Sequence, residues 1–181
     1  MQRTQHNDTH ATVLACDPSF TAWGWAILRN HTVIDSGCIK TSPEAKKRKI
    51  RQGDDRVRRT SEIVQTLMKI VEKYKVDFIV SELPHYSQNA KSAIMIGVVM
   101  GILQTMSDVG HIPIEWYSEN DAKKALLGRN SASKAQVIAA VNQAFETTLT
   151  GPKYVQEAVA DSLAIYNVAT LQSQTLKILL R

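Results

Sequence analysis

The first apolar stretch of the chain is broken by a single charge. Val13 to Cys16 is apolar and β-compatible, Asp17 follows, a short Pro-Ser-Phe-Thr stretch intervenes, and Trp23 to Leu28 is apolar again. Runs of this kind bounded by turn residues predict two strands joined by a turn. His31 to Lys40, rich in β-branched residues, predicts a third strand, so the chain begins as an antiparallel meander. A charged stretch, SPEAKKRKIRQGDDRVRR, comes next. Apolar residues at Ile63, Val64, Leu67, Met68, Ile70 and Val71 then recur at helical spacing as far as Tyr74.

Asp77 to Glu82 is short, almost continuously apolar and ends in an acid, as expected of a central strand covered on both faces. SQNAKSAIMIGVVMGILQTM predicts a long, mostly buried helix, and HIPIEWYS a last strand with Pro113 near its start. Segments near Glu119 to Leu127, Ser133 to Phe145 and Val155 to Leu171 carry helical spacing, with Gly128 and Gly151-Pro152 as breaks. This order predicts an α/β chain whose five-stranded mixed sheet has three antiparallel strands, then parallel ones, and helices on both faces. That is the pattern of a ribonuclease H-like fold.

Composition narrows the picture. The 181 residues are 44% hydrophobic, enough for one core, so a single domain is expected over residues 1–181, with 1–11 as a flexible lead-in and 172–181 as a C-terminal tail. The N-terminus lacks the apolar centre of a signal peptide. Ala93 to Leu103 is about half of the roughly 20 residues a membrane span needs, which points to a buried helix and no membrane partner. Cys16 and Cys38 lie inside strand-like runs and read as free thiols in a reducing, cytoplasmic compartment. The net charge of +5 permits a polyanionic partner without demanding one.

The acids carry the chemistry. Asp17 and Glu82 both end predicted strands, and if those strands are neighbours the two side chains converge at one sheet edge. In YVQEAVADSLAIYNVA, Glu157 and Asp161 share one face of an otherwise apolar helix. Each acid has a local explanation: a turn cap for Asp17, strand-end solvation for Glu82, an exposed helix face for the other two. Together they form a hard-oxygen set without a His/Cys cluster, suited to Mg²⁺ or Mn²⁺ and to the pairs of ions that promote in-line phosphoryl displacement.

Four stretches resemble the RuvC-type Holliday junction resolvases from about Val13 to Val168. DPSFTAWGWAIL is similar to the family's opening acidic motif and glycine-aromatic second strand, with Ser19 in place of the usual glycine. VSELPHYSQNAKSAIMIGVVMGIL resembles its strand-end glutamate, aromatic loop, asparagine and Ser-Ala helix. AKKALLGRNSASKAQVIAAV resembles its run of basic residues, glycine, small polar residues, lysine and Gln-Val. EAVADSLAIYNVA resembles the closing acidic helix: Asp161 fits, whereas Ala158 occupies the position of the second acid and Glu157 stands one residue earlier.

The resemblance implies a structure-selective endonuclease that resolves four-way DNA junctions by symmetric hydrolysis, leaving 5′-phosphate and 3′-hydroxyl nicks. It implies two Mg²⁺ ions per site, replaceable by Mn²⁺, held by Asp17, Glu82, Glu157 and Asp161, with Lys134 at the scissile phosphate. DNA contacts are expected from His85, Tyr86, Asn89, Lys91, Lys123, Lys124, Arg129 and Lys134, and more distantly from Lys46 to Arg51. Tyr86 either stacks on a base or packs on its own helix. Symmetric cutting implies a homodimer, with Ser92 to Met106 as its interface or, equally, as a helix packed on its own sheet. The rival readings are a ribonuclease H-like nuclease for other branched or hybrid nucleic acids and a catalytically silent junction-binding protein. A sugar-kinase or actin-like protein is a further rival, but it needs more phosphate-binding glycine loops than eight glycines readily supply.

Overall fold

A computed structural model describes residues 11–44 and 50–180. The lead-in up to residue 10 and the basic residues Lys46 to Lys49 lie outside the described residues. Strands β1 (Thr12–Asp17), β2 (Ala22–Arg29), β3 (Thr32–Lys40), β4 (Phe78–Glu82) and β5 (Ile114–Tyr117) form one sheet of five strands in the order β3-β2-β1-β4-β5. The first three pair antiparallel, while β1 with β4 and β4 with β5 pair parallel. The mixed sheet expected from the sequence is therefore present.

Side-chain alternation along the strands decides what each face meets. Val13, Ala15, Ala26, Leu28, Phe78 and Val80 face helix α5 (Lys153–Gln172), around which α3 (Glu119–Leu127), α4 (Lys134–Ala144) and α6 (Gln174–Leu179) assemble. Leu14, Cys16, Trp23, Ile27 and Ile79 face α1 (Gln52–Tyr74) and α2 (Ala90–Gly110). Helix α5 is buried from Ala158 to Ala160 and from Ser162 to Tyr166, as expected of a helix enclosed by sheet and helices together. Asp161 interrupts that burial.

Gly24 explains why α5 can lie so close. A Cβ at this position would stand 2.0 Å from the carbonyl oxygen of Ala158, so only glycine allows the helix to press against β2 here. Gly24 is also the register partner of Asp17. One turn beyond Ala158 comes Asp161, so this contact sets the acid of α5 opposite the end of β1.

Two expectations need correction. Helix α2 is not mostly buried: only Val99, Ile102, Leu103 and Ser107 are, and Ile94, Gly97, Gly101 and Val109 are exposed. It is long and apolar enough to cross a membrane by length and composition, which the shorter sequence window concealed. A run of apolar residues cannot say whether its own sheet or something else covers it. The C-terminal segment is not a plain tail either, since residues 174–179 form α6 with Leu176 fully buried. Ser173 caps that helix and donates to Glu115 Oε1 at 2.9 Å. The cysteines are free as expected, with Cys16 buried and Cys38 partly so.

Candidate active site

Alternation also aims the acids. Asp17 continues the Val13-Ala15 series and Glu82 the Phe78-Val80 series, so both point to the face that carries α5. Cys16 pairs with Ser81 in the parallel β1–β4 ladder, which puts Asp17 and Glu82 at the same level on adjacent strand ends. Asp161 looks at them from α5, and its side chain is 12% exposed.

The three carboxylates disturb one another. Burial, then the charges of Glu82 and Asp161, hold Asp17 well above the usual carboxylate range. Burial, then Asp161 and Glu119, push Glu82 up to about 7. Asp161 is raised by burial, and its hydrogen bond from Lys134 pulls the other way. Lys134 is the first residue of α4, where Ser133 and Gln136 form a capping box that fixes the entry of the helix. Its Nζ stands 2.5 Å from Asp161 Oδ2. Burial lowers the Lys134 pKa, but the Asp161 carboxylate outweighs it and the ammonium is held above its ordinary value.

Asp17, Glu82 and Asp161 offer only carboxylate oxygens, and repulsion among partly buried acids is what a divalent cation relieves. In kind and charge the set fits Mg²⁺ or Mn²⁺. Among the described residues no three His, Cys, Asp or Glu side chains are already gathered around a common point, so embracing an ion requires side-chain rotation.

The other expected residues are distributed as follows. Glu157 lies toward the start of α5, with Lys153 Nζ 3.7 Å from its Oε1. Tyr86 is 89% exposed, which excludes packing against its own helix. His85 reaches Glu119, Nε2 to Oε2 at 3.4 Å. Asn89 is the N-cap of α2, its side chain accepting from the backbone of Lys91 and Ser92. Lys91 is exposed beside that cap, as are Lys124 and Arg129 near the end of α3. Lys123 is largely covered, with its Nζ 2.5 Å from Glu119 Oε1. Arg51 is exposed and paired with Asp54 at 2.7 Å.

Sequence reasoning missed two groups. Glu119 reads as an ordinary acid in a first helical turn, favourable to the helix dipole, and nothing in its local pattern marks it out. Arg59 reads as one cation in a charged run, yet it is buried. Its guanidinium donates to Thr41 Oγ1 at 2.9 Å and to the Phe20 carbonyl at 3.0 Å, tying the turn after Asp17 to the end of β3. A cleft of about 520 Å³ opens beside that turn, and Arg56, Arg59 and Lys91 contribute to its lining.

Comparison with known proteins gives a consistent result. The family described as crossover junction endodeoxyribonuclease RuvC matches residues 13–168. A crossover junction endodeoxyribonuclease RuvC of Ehrlichia ruminantium is 29% identical over 164 residues, covering 86% of this chain and 97% of its own. One from Shewanella oneidensis is 27% identical over 159 residues, covering 86% and 84%. Among solved structures, Thermus thermophilus RuvC in complex with a Holliday junction substrate superposes with a TM-score of 0.73 at 18% identity, over 92% of this chain and 96% of that one. The yeast mitochondrial Holliday junction resolvase Ydc2 superposes with a TM-score of 0.61 at 10% identity, over 87% and 77%. These structural likenesses establish the ribonuclease H-like fold.

Proposed function

The chain belongs to the RuvC family of crossover junction endodeoxyribonucleases, and from that premise we propose that it resolves four-way DNA junctions by metal-dependent hydrolysis of paired phosphodiesters. The observation that carries this reading is that Asp17 and Glu82, on adjacent parallel strand ends, and Asp161 of α5 lie close enough for their charges to act on one another. Supporting it are Lys134 at the same site and the match of the family to residues 13–168.

Asp17, Glu82 and Asp161 would hold the cations on the α5 face of the sheet edge. Two Mg²⁺ ions, for which Mn²⁺ can substitute, would supply an activated water and neutralise charge on the leaving 3′ oxygen. Lys134, freed from Asp161, would hold the scissile phosphate beside the carboxylate-bound cations. Tyr86, exposed in the β4–α2 connection with His85, is free to stack on an unpaired base. Lys91, Lys124 and Arg129 present exposed charge to backbone phosphates, and Lys123 joins them if it leaves Glu119.

The structure of α2 supports the expected homodimer. A Cβ added at Gly97 or Gly101 would meet nothing, so packing within the chain does not require glycine at either position. With Ile94 they form an exposed stripe on which a second copy can seat closely. The named bacterial relatives favour action in a bacterial cytoplasm, whether the chain is encoded by the bacterium or by a bacteriophage.

A supercoiled plasmid that extrudes a cruciform tests the reading, because coordinated cutting across the junction yields linear DNA whereas a single cut yields an open circle. Linear product is expected with Mg²⁺, and nicks in synthetic junctions should be sealed by ligase without end repair. Open circles alone, or ends that ligase rejects, would overturn paired hydrolysis with this polarity.

A further inference from the structure

We propose that Glu119 supplies a fourth carboxylate to the metal site, the part that the sequence pattern gives to Glu157. The inference deepens the metal-dependent reading above and rests on it.

Strand geometry makes the case first. Strands β1, β4 and β5 run parallel and end at one sheet edge, and their alternation carries Asp17, Glu82 and Tyr117 to the same face. The Leu83 amide donates to the Tyr117 carbonyl at 2.8 Å, which ties the exits of β4 and β5 together. Ser118 then caps α3, and Glu119 is the first residue of that helix. The three neighbouring strand ends thus deliver Asp17, Glu82 and, one short turn later, Glu119.

Electrostatics agree with that placement. The charge of Glu119 reaches Asp17, Glu82, Asp161 and Lys134, with Glu82 the group on which it ranks highest. Its side chain is 29% exposed and is paired with Lys123 at one oxygen and His85 at the other, cations that a bound metal ion would displace. Glu157, by contrast, is not among the principal charges acting on any of these four groups.

Titration of the full chain with Mn²⁺ by calorimetry, without DNA, tests this directly. Glu119→Gln is expected to weaken Mn²⁺ binding by about 10-fold or more, and Glu157→Gln to cause the smaller loss. Circular dichroism and melting in EDTA confirm that the variants fold. Lys123→Met separates ligation from positioning, since removing a competing cation should not weaken Mn²⁺ binding. Wild-type affinity in Glu119→Gln beside weakened binding in Asp17→Asn would overturn the role of Glu119 and leave the metal site standing. Unchanged binding in Asp17→Asn would overturn the metal site itself and this inference with it.

Discussion

Asp17, Glu82 and Asp161 hold protons more tightly in the folded protein than in the unfolded chain, because burial and neighbouring carboxylates disfavour their charged forms. For acids raised in this way, the stabilising contribution is complete below the unfolded pKa, near 4, and is lost as pH rises through the folded values. The value of about 7 for Glu82 puts much of that loss near neutrality. The melting temperature in EDTA should therefore fall between about pH 5 and pH 8, and fall less in Asp17→Asn. Added Mg²⁺ should restore stability at the upper end by binding the ionised carboxylates. A melting temperature in EDTA that rises across that window would contradict this account of the site. Asp17, Glu82 and Asp161 were legible in the sequence because each is a lone charge closing or interrupting a buried run. Glu119 was not, because a first-turn acid is commonplace. The Glu157 spacing showed a shared helix face, and Lys153 four residues earlier made their ion pair equally legible.

Among the elements, α5 does most to place the site, and Gly24 lets it do so. Gly24→Ala would drive a methyl group into the Ala158 carbonyl, which neither backbone can avoid without moving. Destabilisation by about 1–3 kcal/mol is expected, as for overpacked cores, together with a loss of cleavage as Asp161 shifts from Asp17. Urea denaturation and a cleavage assay check both, and a variant as stable and active as wild type would show that α5 is not held there. Helix α2 gives the opposite case, because Gly97 and Gly101 face open space within the chain. Changing both to leucine should leave the fold intact, and even favour the helix, while abolishing the dimer in light scattering at micromolar concentration. A persisting dimer would move the interface elsewhere. The strands and helices themselves were legible from period and punctuation. What covers α2, and the existence of α6, were not: burial depends on partners that are distant in sequence or on another chain.

At the scale of the whole molecule, the sheet separates two tasks. The α5 face carries the acids and Lys134, whereas the opposite face carries α1 and the exposed apolar stripe of α2. A dimer formed through α2 would leave each catalytic edge uncovered, as paired cutting of one junction demands. Mixed topology was foreseeable from the order of elements, and the pairing of β1 with β4 turned two separate strand-end acids into one site. The most direct test of the central claim is cleavage of an end-labelled synthetic four-way junction against a matched linear duplex, in Mg²⁺ or EDTA, by wild type and Asp17→Asn. Symmetric, Mg²⁺-dependent nicks confined to the junction and absent from the variant are predicted. An intact junction that the wild type nevertheless binds in Mg²⁺, or cleavage that survives Asp17→Asn, would contradict the account.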